Sequence, residues 1–400
     1  MSSDTLVPAR RPLILTPRWL IGPGVDLGLL LGSVLVSFGL FAAWRLGHLP
    51  TATLVLLWVF VFHGPHFWGT LSRTVMDRSE WPERRRLFAG SLLWFLVGPA
   101  FVGLSRVFTG EWAGANFVSL FFFLAALWAY HHVVKQHFGF LALYRAKHGD
   151  FDRGELLWQK WYLIASLWIP AVMVLTSQPA WLLELPWLKT WAASDPQTAT
   201  RVVLDAGKAV LDGGPVVFWA LQALFALSLV RRVAQGRGIN LPVVLVVLTS
   251  VGLHWVVVRS VLFLPPEFVA ADAVGGKQIA HYAFVPLVTI FHNIQYHALI
   301  WSYNRTKYHG PDAEERYGPA AAVNRNLAVY FACGLLFTVF SIGVQLIGGE
   351  LDWKVFTDPQ NPAWVWIATG IWGWSFMHYY LDSRIWRVRS DEKLRAVLGI

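Results

Sequence analysis

The sequence predicts an all-α protein, a polytopic bundle of about ten transmembrane helices with both termini on the cytoplasmic side. Of its 400 residues, 56% are hydrophobic and only 14% are charged, whereas a soluble globular domain carries about 25% charged residues. The mean hydropathy is +0.47, and apolar runs recur at lengths close to the roughly 20 residues with which a helix spans a bilayer. These observations place the chain among integral membrane proteins, and we expect it in a bacterial inner membrane.

The apolar runs follow one another in order, with short polar loops between them. The longest loop on the side of the N-terminus, 304–325, is too short to fold around a core of its own. We therefore expect one integral-membrane domain over 1–400, in which 178–214 is an interfacial, non-cytoplasmic excursion with one or two short helices. The predicted spans are approximately 25–46, 52–71, 87–107, 116–143, 157–177, 215–230, 241–264, 279–303, 326–347 and 363–382.

The basic residues predict the orientation of these spans. Of the 33 Lys and Arg residues, 24 fall on the side of the N-terminus and only eight on the opposite side. Cytoplasmic loops carry such an excess of positive charge, so the tails 1–24 and 383–400 are expected in the cytoplasm. The net charge of +9 is thereby explained by topology, and the sequence predicts no nucleic-acid partner.

Eight histidines lie near the cytoplasmic ends of four predicted spans. In each span the last of them comes six to eight residues before the first Arg of the following polar stretch, which places it roughly 9–12 Å below the membrane surface. Imidazoles are costly in lipid and are common metal ligands, so the shared depth predicts a metal site in the cytoplasmic leaflet. These histidines are His63 and His66 in HGPH, His131, His132 and His137 in HHVVKQH, His292 and His297 in HNIQYH, and His378.

The spacing within the boxes limits how the imidazoles can meet. His132 and His137 are five residues apart and point about 140° away from each other on an ideal helix. They face a single ion only if the helix is distorted, and otherwise two ions are needed. His254 is interpreted as a packing residue or as part of a cavity wall. The polar residues expected to orient ligands or contact substrate are Asp382, Lys135, Gln136, Asn293, Gln295 and Tyr296.

The donor set indicates which metal to expect. The chain has one cysteine, Cys333, so a cysteine-based zinc or iron–sulfur site within one chain is excluded. Imidazole nitrogen suits iron, zinc, copper and nickel, and the scarcity of carboxylates disfavours magnesium and calcium. Eight imidazoles exceed the three or four of a single zinc site. We expect iron, as one or two ions, while zinc and copper fit the same ligands.

The histidine boxes resemble those of the integral-membrane desaturase and hydroxylase superfamily, whose HxxxxH and HxxHH boxes hold two oxygen-activating irons. Here HVVKQH and HNIQYH have the HxxxxH spacing, whereas the first box is HGPH and no HxxHH occurs. The chain also resembles the Brp/Blh-type carotenoid-cleaving oxygenases, which hold one iron with histidines from several helices. Both resemblances imply hydroxylation, desaturation or oxidative cleavage of a lipid-like substrate, with a cytoplasmic or membrane electron donor.

Two other classes of function use the same histidines. A haem-binding electron carrier would place facing imidazoles on either side of one haem. A transporter of metal ions or protons would arrange histidines along a pathway, with polar residues at successive depths. Only His254, Arg259 and His281 continue the polar series toward the far side of the membrane, which favours the oxygenase hypothesis.

Overall fold

The computed structural model describes residues 15–108, 116–177, 182–183, 185–274, 277–341, 362–388 and 391–400. Nearly all of the regular secondary structure in these ranges is helical, which confirms the all-α prediction. Two pairs of very short strands complete it. β1 (Leu15–Thr16) pairs in parallel with β2 (Ile239–Asn240), and β3 (Ala273–Val274) pairs antiparallel with β4 (Lys277–Gln278).

Seven helices in the described part of the chain are long and apolar enough to cross a membrane. This confirms the transmembrane helical class, while the total number of crossings and the side on which the termini lie stay predictions. The seven are α1 (Pro23–Arg45), α2 (Thr51–Arg73), α3 (Arg78–Val107), α4 (Asn116–His148), α7 (Pro196–Ala234), α8 (Leu241–Leu262) and α10 (Ala280–Lys307).

The other helices are either shorter or less apolar. Two of them, α5 (Arg153–Thr176) and α14 (Pro362–Ile385), have 24 residues each, and α13 (Leu327–Ser341) is a shorter apolar helix. The remaining helices are α6 (Pro186–Ser194), α9 (Pro266–Ala271), α11 (Ala313–Tyr317), α12 (Pro319–Val323) and α15 (Glu392–Leu398).

Each of the ten predicted apolar runs coincides with one of these helices, although 342–347 of the ninth run lies outside the described residues. The sixth run differs most from its prediction, because 196–214 of the expected excursion joins it in a continuous helix of 39 residues. Pro215 lies within this helix. The adjacent Gly214 allows close packing, since a Cβ there would come within 2.9 Å of the Met173 sulfur on α5.

Glycines set two of the helix contacts around the centre of the bundle. A Cβ on Gly64 of α2 would overlap the side chain of Thr338 on α13. A Cβ on Gly98 of α3 would overlap the backbone carbonyl of Thr369 on α14. Glycine therefore allows both helix pairs to approach more closely than any larger residue would permit.

A buried carboxylate ties the start of α1 to the rest of the bundle. Asp26 accepts hydrogen bonds from the backbone N–H groups of 20–22 at 2.7–3.0 Å and from the Tyr144 hydroxyl of α4 at 2.7 Å. The turn that begins at Asp26, Asp26–Leu31, is π-helical. Gln295 of α10 donates its side-chain amide to the Leu30 carbonyl in that turn at 2.6 Å. These bonds connect α1 to α4 and α10, two of the helices that carry histidines.

Candidate metal centre

The first histidine box lies at a distortion of α2. A π-helical turn, Trp58–His63, runs directly into the box, and Pro65 has no N–H with which to continue the α-helical hydrogen bonds. Turns of this kind insert an extra residue and often occur at functional sites. His66 follows the distortion and points into the bundle, where it is 1% exposed.

Three imidazoles from three helices meet at this point. The Nε2 atom of His378 (α14) lies 2.8 Å from Nε2 of His66 (α2) and 3.1 Å from Nε2 of His132 (α4). One potential ligand atom from each of the three residues lies within 4.8 Å of the other two. Two imidazole nitrogens bound at about 2.1 Å to one ion, at right angles, are about 3 Å apart. The observed spacing therefore fits three nitrogen ligands of one metal ion.

A hydrogen-bond network fixes the orientation of His378. Its Nδ1 lies 2.6 Å from the Thr70 hydroxyl, which donates to Oδ1 of Asp382 at 3.0 Å. The Thr70 proton has two oxygen acceptors within hydrogen-bond distance, the Asp382 carboxylate and the Tyr296 hydroxyl. When Thr70 donates to either of them, it accepts from the Nδ1–H of His378, and this arrangement favours the tautomer in which Nε2 carries only a lone pair. A metal-binding histidine is usually oriented by such a bond from its second nitrogen.

Asp382 and Tyr296 lie where the sequence predicted polar neighbours of the metal ligands. Tyr296 donates its hydroxyl to Oδ1 of Asp382 at 2.7 Å, and its oxygen is 2.5 Å from the Thr70 hydroxyl. The second carboxylate oxygen of Asp382 is 3.7 Å from Nε2 of His378. Asp382 thus orients the network through one oxygen and lies near the His378 ligand nitrogen with the other.

Two further predicted histidines surround His66. Ring centroids of His292 and His297, both on α10, lie 4.8 Å and 6.1 Å from that of His66. His297 shares a 2.8 Å hydrogen bond through Nδ1 with the Tyr330 hydroxyl, and its Nε2 has no partner among the described residues. The structure therefore gathers His66, His132, His292, His297 and His378 into one cluster.

The other three predicted histidines lie outside the triad formed by His66, His132 and His378. His63 stacks on Trp58, with ring centroids 4.3 Å apart. His131 accepts a hydrogen bond from the Trp168 indole at 3.4 Å and is only partly buried. His137 is fully buried beside His292, with ring centroids 6.3 Å apart.

The remaining predicted polar residues make helix contacts. Lys135 is exposed and lies over the Phe138 ring at 5.3 Å. Gln136 donates to the backbone carbonyl of His292 at 2.8 Å and thereby links α4 to α10. Asn293 is buried, and its side-chain amide nitrogen has no partner among the described residues. Gln295 binds Leu30, as described above.

Sequence reasoning missed two residues that contact the triad. Thr70 lies four residues after His66 and hence on the same helical face, which was a usable signal. Tyr379 stacks on the His132 ring at a centroid distance of 4.3 Å and an interplanar angle of 24°. Its position next to His378 gave no indication of this contact, because adjacent helical residues face different directions.

Fold and site together define the protein as a polytopic α-helical membrane protein with a buried cluster of histidines. Comparison with known proteins yields no matching family model, no matching curated protein and no matching solved structure. The function of this chain is therefore inferred from the geometry of the cluster.

Replacing Thr70 with valine is expected to weaken metal binding about 10- to 100-fold, because the hydroxyl that orients His378 is lost. Chelator competition on detergent-purified protein measures the effect. Thr70→Ser should restore most of the affinity. Thr74→Val is the matched control, since Thr74 directly follows the last residue of α2 and its hydroxyl donates to the Thr70 backbone carbonyl. Equal losses in Thr70→Val and Thr74→Val would show that the network does not act on the metal.

Proposed function

We propose that this chain is an integral-membrane oxidoreductase in which His66, His132 and His378 hold non-haem iron. Its substrate would be lipid-like or otherwise apolar, and the reaction hydroxylation, desaturation or oxidative cleavage. The observation that carries the proposal is the meeting of three Nε2 atoms from three helices, at 2.8 Å and 3.1 Å, around a histidine whose tautomer is favoured by Thr70.

Hydrogen bonding alone explains this arrangement poorly. In the favoured tautomer, Nε2 of His378 has one lone pair, which can accept one good hydrogen bond. Both His66 and His132 place a nitrogen within hydrogen-bond distance of that lone pair. In addition, Nδ1 of His66 is buried and has no partner among the described residues. A cation bound between the three nitrogens would be ligated by all three. His66 and His132 would then no longer compete for a hydrogen bond to the single lone pair of His378.

The donor set of the triad is compatible with iron. Three nitrogens with a carboxylate oxygen nearby form a mixed donor set that suits iron as well as zinc. Bound iron would supply redox chemistry with dioxygen. The chain's own residues would hold the ligands in place. Because Oδ1 of Asp382 accepts from Thr70 and Tyr296, a proton held or passed on by this carboxylate would be at Oδ2, 3.7 Å from Nε2 of His378.

The substrate class is proposed from what encloses the cluster. Phe67 lies 5.4 Å from the His378 ring, and Tyr379 covers the His132 ring. Such aromatic walls offer contact area to an apolar molecule. Hydroxylation consumes dioxygen, two electrons and two protons and releases one water, so the proposal includes an electron donor that reaches the protein from the cytoplasm or within the membrane.

A haem carrier is less well supported than an iron oxidoreductase. Axial imidazoles place the haem between their nitrogens, whereas His66 and His378 nitrogens are only 2.8 Å apart. A transport pathway is also less well supported, because the imidazoles of His66, His132 and His378 come from three helices and meet at one point.

Elemental analysis of protein purified from iron-supplemented cells, after removal of any polyhistidine tag, tests the proposal. We expect about one iron per chain in the triad, no Soret band, and altered lipid-extract composition in expressing cells relative to cells with the His378→Ala variant. Protein that carries only zinc, or that binds no iron after anaerobic incubation with Fe²⁺, would end the proposal. A Soret band would establish the haem alternative.

A further inference from the structure

We propose that His137 and His254 hold a second transition-metal ion, beside the triad and separated from it by His292. The inference goes beyond the proposed function, since it concerns a different pair of ligands and includes a histidine of α8 that the sequence did not single out as a ligand. Neutral imidazoles without thiolate or carboxylate suit a divalent first-row metal such as Zn²⁺, Fe²⁺ or Cu²⁺.

The hydrogen bonds of His254 leave one of its nitrogens free to bind a metal. The Tyr130 hydroxyl donates to the Leu167 backbone carbonyl at 2.5 Å, and the same oxygen is 2.9 Å from Nδ1 of His254. Because the hydroxyl proton is used on the carbonyl, Nδ1–H of His254 must be the donor to Tyr130. Nε2 therefore carries a lone pair. It is buried and has no partner among the described residues.

His137 supplies the second ligand. It is 0% exposed, and the Gln295 side chain is positioned to hydrogen-bond one of its two ring nitrogens. The other nitrogen is buried without a partner among the described residues. A buried nitrogen without a partner is unfavourable, and a metal ion would satisfy it. Its ring packs on Phe291 and lies 5.8 Å, centroid to centroid, from the ring of His254. With metal–nitrogen distances of about 2.1 Å, two imidazoles on one ion can have centroids up to about 6.4 Å apart.

His292 connects this pair to the triad. Its ring centroid is 6.3 Å from that of His137 on one side and 4.8 Å and 5.2 Å from those of His66 and His132 on the other. Its Nδ1 is also buried without a partner among the described residues. Gln295 lies one turn further along the same face of α10, where its side chain is positioned to orient His137.

The geometry of α4 explains why one histidine box would serve two ions. His132 and His137 are five residues apart on a continuous helix, so their side chains point about 140° away from each other. His132 faces His378, with ring centroids 4.8 Å apart, and His137 faces His254. A single helix can in this way contribute one ligand to each of two neighbouring sites.

Metal stoichiometry tests the second site without any assay of activity. Tag-free protein is stripped with a chelator, loaded with Zn²⁺ alone and analysed for metal after gel filtration. We expect about two equivalents for the wild type and about one for His254→Ala and for His137→Ala. His131→Ala, which changes a histidine outside both sites, should keep two.

A substitution that keeps both ligands covers the case in which the alanine variants fail to fold. Tyr130→Phe removes only the hydroxyl that orients His254, and it should weaken the second equivalent about 10- to 100-fold while leaving the first unchanged. The second site would be overturned, and the triad left intact, if the wild type bound one equivalent of metal and this equivalent were lost in His378→Ala but kept in His254→Ala. A second equivalent of undiminished affinity in His254→Ala and Tyr130→Phe would also overturn it. Two wild-type equivalents of which His378→Ala keeps one and His254→Ala keeps the other would establish both sites.

Discussion

Replacing His378 with alanine is expected to remove one equivalent of bound metal, with a loss of affinity of at least about 100-fold. The expected loss is larger than that for a residue that only orients a ligand, which costs about 10- to 100-fold, because His378 Nε2 is the atom nearest to both other nitrogens of the triad. His66→Ala and His132→Ala should have the same effect, since each also removes one of three ligands. The measurement is elemental analysis of protein equilibrated with chelator-buffered Fe²⁺ or Zn²⁺.

The matched control for this experiment is His131→Ala. His131 is the chain neighbour of His132 on α4, but its nitrogen accepts from the Trp168 indole, away from the triad. The same residue type is thus removed from the same helical turn without removing a proposed ligand. Full metal content in His378→Ala, or an equal loss in His131→Ala, would contradict a centre made of these three imidazoles.

Replacing Gly98 with alanine is expected to destabilise the protein by about 3 kcal/mol, the upper part of the range for overpacking a tightly packed interior. The added Cβ would overlap the backbone carbonyl of Thr369, and a backbone atom cannot rotate away as a side chain can. The helices α3 and α14 would have to separate. Because α14 carries His378, the shift would also disturb the triad. Denaturant unfolding of detergent-solubilised protein, followed by helical circular dichroism, measures the loss.

Gly103→Ala provides the control on the same helix. The nearest atom to a Cβ at Gly103 would be in the Trp366 ring at 3.9 Å, which is an ordinary contact. The change should be neutral or stabilise by up to about 1 kcal/mol, the difference in helix propensity between alanine and glycine. Similar unfolding curves for the Gly98 and Gly103 variants would show that α3 and α14 do not depend on this close approach.

The sequence predicted the helices well, because apolar length is what a bilayer demands of a span. It did less well where tertiary packing decides. Residues 196–214 were predicted as part of an interfacial excursion, but they form one continuous helix with the span that follows. A Cβ at Gly214 would come within 2.9 Å of the Met173 sulfur on α5, and no local pattern in the sequence records that contact.

The sequence predicted that the histidines lie at a common depth, but it could not predict which side of its helix each histidine faces. The distance to the basic loops predicted that histidines of four helices share a level, and His66, His132 and His378 do come together. Yet His131 and His132 are adjacent, and only the packing of α4 against its neighbours determines which one faces inward. His254 shows the same limit, because a single histidine in an apolar helix looks like a packing residue until the neighbouring His137 is seen.

The π-helical turn Trp58–His63 gives α2 a property that a regular helix lacks. One residue beyond the α-helical repeat changes the angular phase of everything that precedes it by about 100°. The residues before this turn and the residues that carry His66 are therefore offset in rotation relative to a regular helix. Deleting a single residue from the turn would rotate one half of α2 against the other and turn the His66 imidazole away from its neighbours.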